Sequence, residues 1–374
     1  MSRTKGCVTL TRAVTSLLLA LFCGPLLGAA DDKTNFRVAF TYRRLLELEP
    51  CGCSLLPSGG LEREWYAQSQ VRKAATRVPL HVWSGGTTFA PPPELFVANE
   101  LPQYLERARA LASALAVLKT EVVGLTVEDG VLSVQDLKKL EKKSKARFIA
   151  TNAVDLKSGK APFPTFGTVK VNSITVGILS LGLPSDRTFE GHLSLKWTPL
   201  AESIASVLAA NPSITEWIAI NNLLENDRRL LNEKFPQIKF WFGGADPHFY
   251  RDAVYQRALG WVDFSFEDRG RSLGLLSVQL GLKKKGFRNE TQVQMMAAEK
   301  EELKAEQNPA ESIAKKIQRR LGEIEQMTAV PVADTAPYTY YAWKLNYEVP
   351  TTGNPMPSLL LTYRNKSGKT KIVK

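Results

Sequence analysis

The chain has 374 residues, 44% of them hydrophobic, and carries 49 Lys and Arg against 37 Asp and Glu, a formal charge of +12. That much apolar residue excludes a disordered chain and fits one large α/β domain with an appendage, or two domains. Four cysteines exclude a disulfide-built scaffold, and the basic balance fits contact with anionic polymer or lipid headgroups rather than nucleic acid, for which no motif is present.

At the N-terminus, Arg3, Lys5 and Arg12 precede an almost continuously apolar run from Val14 to Leu27, and the small residues Gly28-Ala29-Ala30 follow. This order is that of a cleaved signal peptide over residues 1–30. The apolar run is shorter than the roughly 20 residues that span a bilayer, so no permanent anchor is expected. Lipidation at Cys23 is disfavoured, because bulky Phe22 stands before it. Cleavage lowers the formal charge to +9 and leaves Cys51 and Cys53 as the only cysteines.

A first strand is expected over Arg37 to Tyr42, then the loop Glu49-Pro50-Cys51-Gly52-Cys53-Ser54 and Gly59-Gly60-Leu61-Glu62-Arg63. A Pro-, Gly- and Cys-rich loop after a first strand lets backbone approach a ligand closely. It also suits a tight turn with two small buried thiols. A bridge between Cys51 and Cys53 is strained at this spacing, leaving metal ligation or free thiols as alternatives.

Further strands are expected over Pro79 to Trp83, Glu121 to Leu125, Arg147 to Thr151, Thr175 to Leu181, Glu216 to Asn221, Lys239 to Phe242 and Leu273 to Leu280. Between them lie helices. Leu101 to Lys119 carries a regular amphipathic stripe; Val134 to Lys145 opens on Ser133 with Asp136 at capping-box spacing; Leu200 to Ala210 and Asn226 to Lys234 follow. Phe166 to Lys170 and Ile174 to Leu181 flank Asn172-Ser173 and read as a hairpin, so the sheets are expected to be mixed. The alternation points to a layered α/β fold.

After Gly281 the composition turns charged: residues 291 to 307, then Ala310 to Met327 beyond the break at Asn308-Pro309, read as a long polar helix or helix pair. Tyr338 to Trp343 is a β-prone aromatic run, suited to strand packing before a ligand platform. Pro350 to Pro357 reads as a loop and Ser358 to Tyr363 as a short helix.

The order of these pieces resembles the calcineurin-like metallophosphoesterases, and within them the periplasmic 5'-nucleotidase-like branch. A bacterial subgroup of that branch carries the loop seen here at Glu49 to Cys53, followed by Gly-Gly-Leu and an arginine, here Gly59 to Arg63. The resemblance implies an α/β sandwich of two mixed β-sheets flanked by helices, with a C-terminal helical extension. It divides the chain into a signal peptide (1–30), a metallophosphoesterase-like domain (31–290), a charged helical segment (291–330) and a C-terminal strand and tail (331–374).

Such enzymes hold two metal ions that clamp the attacking and leaving oxygens of a phosphoester. The ligand blocks that the resemblance implies are largely missing. The first falls near Thr41-Tyr42-Arg43, the second on Trp83-Ser84-Gly85-Gly86, the third on Gly124 to Asp129, where only Glu128 or Asp129 supplies an acid, and the fourth on Ile220-Asn221-Asn222. In the fifth, Gly243-Gly244-Ala245-Asp246-Pro247-His248, Asp246 and His248 keep donors at i, i+2 spacing. Asn152 matches an Asn found at the end of a later strand and is, with Asn222, a candidate substrate-binding residue. Of the other histidines, His81 reads as a packed or surface residue and His192 as a loop residue.

The expectation is therefore an exported, catalytically degenerate metallophosphoesterase-like protein acting as a binding or structural module. Two alternatives stay open. One is a hydrolase with a rebuilt single-ion site for Zn, Mn or Fe, in which Asp129, Asp246 and His248 supply donors and Asn222 orients substrate. The other is a thiol site, in which Cys51 and Cys53, with or without His248, hold a soft ion or form a redox-labile pair. The expected location is the periplasm or the exterior, and the expected partners are an envelope protein or an anionic surface polymer, with no nucleic acid and no integral membrane segment.

Overall fold

The computed structural model describes residues 36–50, 58–74, 78–91, 95–171, 174–183, 191–244, 254–256, 261–264, 270–278, 287–305, 317–321, 338–344, 355–356 and 360. Two large sheets face each other. The first has seven strands: β1 (Phe36–Tyr42), β2 (Leu80–Gly85), β3 (Val122–Gly124), β4 (Arg147–Ile149), β13 (Ser272–Val278), β14 (Phe287–Asn289) and β15 (Tyr338–Lys344), in the order β14-β15-β13-β1-β2-β3-β4. The second has six: β6 (Gly167–Val171), β7 (Ile174–Leu181), β9 (Glu216–Asn221), β10 (Ile238–Phe242), β11 (Val254–Gln256) and β12 (Trp261–Phe264), in the order β11-β12-β10-β9-β7-β6. Strands β5 (Ala153–Asp155) and β8 (Leu195–Trp197) make a small antiparallel pair.

Both large sheets are mixed, as expected. β1 to β4 run parallel while β13 pairs antiparallel to β1; β7, β9, β10 and β12 run parallel while β6 closes the expected hairpin antiparallel to β7. Alternation along β1 shows how a strand serves two layers. Val38, Phe40 and Tyr42 enter the core between the sheets, whereas Ala39 points outward with Ala67, Val71 and Val82. Phe40, Trp83, Ile218, Ile220 and Phe242 fill the inter-sheet layer, with the Phe40 and Phe242 ring centroids 4.7 Å apart. Fully burying side chains of this size stabilises by roughly 1.5–3 kcal/mol each.

Helices cover the outer faces. α2 (Leu101–Leu118) and α3 (Val134–Ser144) pack outside the first sheet through Leu111, Leu115, Leu118, Leu137 and Leu140. α4 (Leu200–Ala210) and α5 (Glu225–Lys234) cover the second through Ile204, Val207 and Leu231 against Trp217 and Trp241. α3 starts where the spacing predicts: Ser133 Oγ accepts the Asp136 N–H at 3.0 Å.

The sequence pattern misses α1 (Leu61–Ala74), because its inward face is polar as well as apolar: Glu64 and Gln68 are buried beside Leu61, Ala67 and Val71. It also misses β5, β8, β11, β12 and β14, each only three or four residues long. α6 (Glu290–Ala305) follows β14 as the charged helix that the composition suggests, and residues 317–321 are helical again. The two helical pieces are joined by Arg320 Nε donating to Glu299 Oε1 at 2.7 Å. β15 lies inside the first sheet, between β13 and β14, so the last segment contributes a strand to the main sandwich. Met356 and Leu360 are buried in the core under α2. No helix among the described residues is long and apolar enough to cross a membrane.

Candidate functional site

The carboxyl ends of β1, β2, β3, β9 and β10 lie together, which is where open parallel sheets place ligands. The backbone there is unusual. Arg43, Leu45 and Leu46 after β1 and Thr87 after β2 have φ of 40°, 52°, 61° and 71°. A non-glycine residue held so costs of order 1–3 kcal/mol, and the cost is met by neighbouring order. Arg43 N–H donates to the Gly85 carbonyl at 2.9 Å and Leu45 N–H to the Thr87 carbonyl at 3.2 Å, so the two loops extend the β1–β2 pairing past the strands.

Tyr42 occupies the centre of this end. Its ring is buried and touches both sheets: a Cβ added at Gly86, after β2, or at Gly243, after β10, would overlap it. Its hydroxyl donates to the Gly244 carbonyl. Burial pushes the phenol far above its ordinary pKa, so Tyr42 remains an O–H donor. Arg228 on α5 is also buried; its guanidinium donates to the Leu223 carbonyl and abuts Gly244. A phenol ring thus lies between the ends of β2 and β10, with a buried cation beside it.

Next to it stands a small polar cluster. Glu128 Oε2 accepts from Thr87 Oγ1 at 2.8 Å, Thr126 Oγ1 at 3.0 Å and Asn222 Nδ2 at 2.9 Å. This joins the loops after β2, β3 and β9. Asn222 Oδ1 is buried without a hydrogen-bond partner among the described residues. Asp129 faces the other way. Fully buried, it accepts the N–H groups of Thr88 at 2.9 Å, Phe89 at 2.6 Å and Thr126 at 3.1 Å, and so closes a capping box over the 3₁₀ turn Val127–Val131. Burial raises its pKa to about 7, with the three N–H donors working in the opposite direction.

The structure thus assigns the expected residues different tasks. Asp129, expected as a metal donor, braces two loops with its carboxylate enclosed by backbone. Asn152, expected to touch substrate, donates to the carbonyls of Gly182 at 2.8 Å and Thr198 at 2.9 Å and accepts the Gly182 N–H at 3.1 Å, tying β7 to the β8 connection. Asn222 does reach the strand-end cluster, and Asn221 beside it is consumed by the Phe242 carbonyl and the Leu223 N–H. Cys51, Cys53, Asp246 and His248 lie outside the described residues. His81 pairs with Glu121 at 2.7 Å and the His192 ring packs 5.5 Å from that of Phe96, as packed and loop histidines do.

Sequence reasoning overlooked Glu64. Buried on α1, it receives Arg44 as an ion pair, Thr41 Oγ1 at 2.9 Å and Gln68 Nε2 at 2.9 Å. The one available signal was its place three residues after Leu61 and seven before Val71, on the inward face of a helix. Among the described residues no group of three or more His, Cys, Asp or Glu side chains is placed to hold a metal. Glu128 and Asn222 offer oxygen donors across the two sheets, but Glu128 is the cluster's one carboxylate among the described residues, and its Oε2 already accepts three hydrogen bonds. These residues do not fit a two-metal centre.

The fold is that of the calcineurin-like phosphoesterases. The chain is similar in structure to a 5'-nucleotidase precursor from Thermus thermophilus (TM-score 0.58, 14% identity, 89% of this chain and 59% of that one). It is also similar to a 5'-nucleotidase from Candida albicans (TM-score 0.55, 11% identity, 89% and 58%) and to the calcineurin-like phosphoesterase YfkN from Bacillus subtilis (TM-score 0.52, 13% identity, 67% and 86%). The chain spans under two thirds of the length of either nucleotidase. No family model matches it, and no curated protein does. Likeness at this identity carries the fold and leaves function to the site.

Proposed function

We propose that the protein is an exported, catalytically degenerate member of the 5'-nucleotidase-like branch, retained as a binding or structural module. The observation that carries this reading is Tyr42. Its ring lies between Gly86 and Gly243, at the sequence positions where the first, second and fifth ligand blocks of the resembled enzymes meet. A neutral phenol donating to a backbone carbonyl supplies neither the charge nor the lone pairs that a bridging carboxylate gives two divalent ions. Export rests on the N-terminal pattern of residues 1–30, and an envelope protein or anionic surface polymer suits the basic chain as partner.

The test is turnover of nucleoside monophosphates and generic phosphodiesters by the full chain with Mn, Zn or Fe(II), together with metal content of the purified protein. Background-level turnover and no stoichiometric metal are expected. Turnover that disappears on Asp246→Ala or His248→Ala overturns the proposal in favour of a rebuilt single-ion site, for which the unpartnered Asn222 Oδ1 beside Glu128 offers oxygen donors. Metal lost with Cys51→Ser or Cys53→Ser points instead to the thiol pair.

A further inference from the structure

Helix α3 presents one sign of charge to solvent. Lys138, Lys139, Lys142, Lys143 and the C-terminal Lys145 are all exposed, while Leu137, Leu140 and Ser144 face the core. At 3.6 residues per turn the five lysines fill an arc of about 160° on the side opposite the buried stripe. Arg147, exposed at the start of β4, the edge strand of the first sheet, adds a sixth cation.

The acids of this segment are engaged elsewhere. Asp136 bonds Ser133 Oγ at 2.6 Å and reaches Lys139 at 3.4 Å, while Glu141 accepts the Phe148 N–H at 2.9 Å. Lys138, Lys142, Lys143, Lys145 and Arg147 form no ion pair among the described residues. Other exposed cations form ion pairs, as in Arg109–Glu106 and Arg229–Glu233, or, like Lys157, Lys160 and Lys196, are unpaired among the described residues without sharing one helix face.

The helix dipole favours lysines in the last turn, but not Lys138 and Lys139 in the middle of an 11-residue helix. The pairs Lys138/Lys142 and Lys139/Lys143 stand at i, i+4, where like charges destabilise a helix. This arrangement is unfavourable for the isolated helix and favourable beside an extended anion. Five of the six charges are lysines, point cations without the bidentate fork that reads discrete phosphates, and no aromatic side chain lies among them for bases to stack on. A laterally continuous anionic plane therefore suits the face better than a nucleic acid strand.

We propose that the outward face of α3, with Arg147, docks the protein onto an anionic phospholipid surface. The proposal holds whether or not the strand-end site is catalytically degenerate. It is tested on the full chain by sedimentation with vesicles of phosphatidylcholine, with and without phosphatidylglycerol, across a salt series. A variant with Lys138→Gln, Lys139→Gln, Lys142→Gln and Lys143→Gln is compared with one of equal net charge that carries Lys157→Gln, Lys160→Gln, Lys196→Gln and Lys234→Gln at exposed sites elsewhere.

Binding to phosphatidylglycerol vesicles is expected to weaken on the order of a hundredfold or more in the α3 variant, to fall with salt, and to stay near wild type in the second variant. Replacing the same four lysines by Arg is expected to keep it. The Gln substitutions relieve like-charge pairs, so the melting temperature of the α3 variant should not drop, and a fall in binding cannot be put down to unfolding. Equal weakening in both Gln variants, or no preference for phosphatidylglycerol, overturns the proposal. So does a single-stranded oligonucleotide or sulfated polysaccharide that wild type binds more tightly than vesicles through the same four lysines.

Discussion

Asp129, fully buried, holds three backbone N–H groups, and the balance of burial against those donors leaves its pKa at about 7, against 3.8 for an ordinary aspartate. Between these values the folded chain binds a proton that the unfolded chain does not. This group's contribution to stability is therefore full below about pH 4 and is lost as pH rises to about 7. Denaturant unfolding across that range is expected to show a decline of up to about 4 kcal/mol assignable to this side chain, and Asp129→Asn should abolish it. The Asn variant keeps one acceptor for Thr88 and Phe89 but turns its NH2 toward the Thr126 N–H, at a cost of roughly 1–3 kcal/mol at low pH. A pH profile identical in both proteins would show that Asp129 does not titrate this way.

Tyr42 and Gly86 form the second residue-scale unit. Gly86 has φ of 67°, and any Cβ there meets the Tyr42 ring. Gly86→Ala should cost more than the roughly 1–3 kcal/mol of a left-handed alanine, because the overlap adds to it. In a Tyr42→Ala background the overlap is gone. A double-mutant cycle read by urea unfolding should then show the two changes costing less together than their sum, by about 0.5–3 kcal/mol. Strict additivity would place the ring elsewhere.

At the scale of elements, α1 shows how a buried charge fixes a helix on a sheet. Glu64 is taken out of water and is matched by Arg44, Thr41 and Gln68, which come from the loop after β1, from β1 itself and from α1. Removing one partner of such a pair typically costs about 3–5 kcal/mol, since the other charge stays buried. Glu64→Leu alone should destabilise by that amount in urea melts, and Glu64→Leu with Arg44→Met should recover most of it. Equal destabilisation in the single and double variants would mean that Arg44 has another role. The pair also anchors the strained turn at Arg43 to Leu46, so its loss should loosen the strand-end site.

For the whole molecule, the proposed loss of the metal centre makes stability a property of the protein alone. Anything that binds only the folded state raises the melting temperature by mass action. The midpoint is accordingly expected to be the same with a chelator, and with Mn or Zn in excess. A rise of several degrees with either ion would reveal a folded-state metal site and count against degeneracy.

The long elements were legible because burial imposes a period on them: 3.6 in Leu101 to Leu118, near-continuous apolar runs in Glu216 to Asn221 and Ile238 to Phe242, where both faces are covered. Ser133 announced α3 by the chemistry of its cap. α1 was hidden because its buried stripe includes a carboxylate and an amide, whose burial depends on Arg44 and Thr41, residues 20 and 23 positions away. β15 could be read as a strand but not placed, since its position between β13 and β14 is set by long-range pairing. At the site, the residues that stand where the resemblance implies ligands, Thr41 to Arg43, Ser84 to Gly86 and Asn221-Asn222 in place of a His, were visible in one dimension. Sequence alone thus determined the layered fold and which residue types stand at the strand ends. Only the tertiary structure decided that the Tyr42 ring lies between Gly86 and Gly243, that Asp129 turns inward to backbone N–H groups, and that Glu128 and Asn222 meet: a side chain's role follows from which atoms surround it, and those atoms come from strands far apart in the chain.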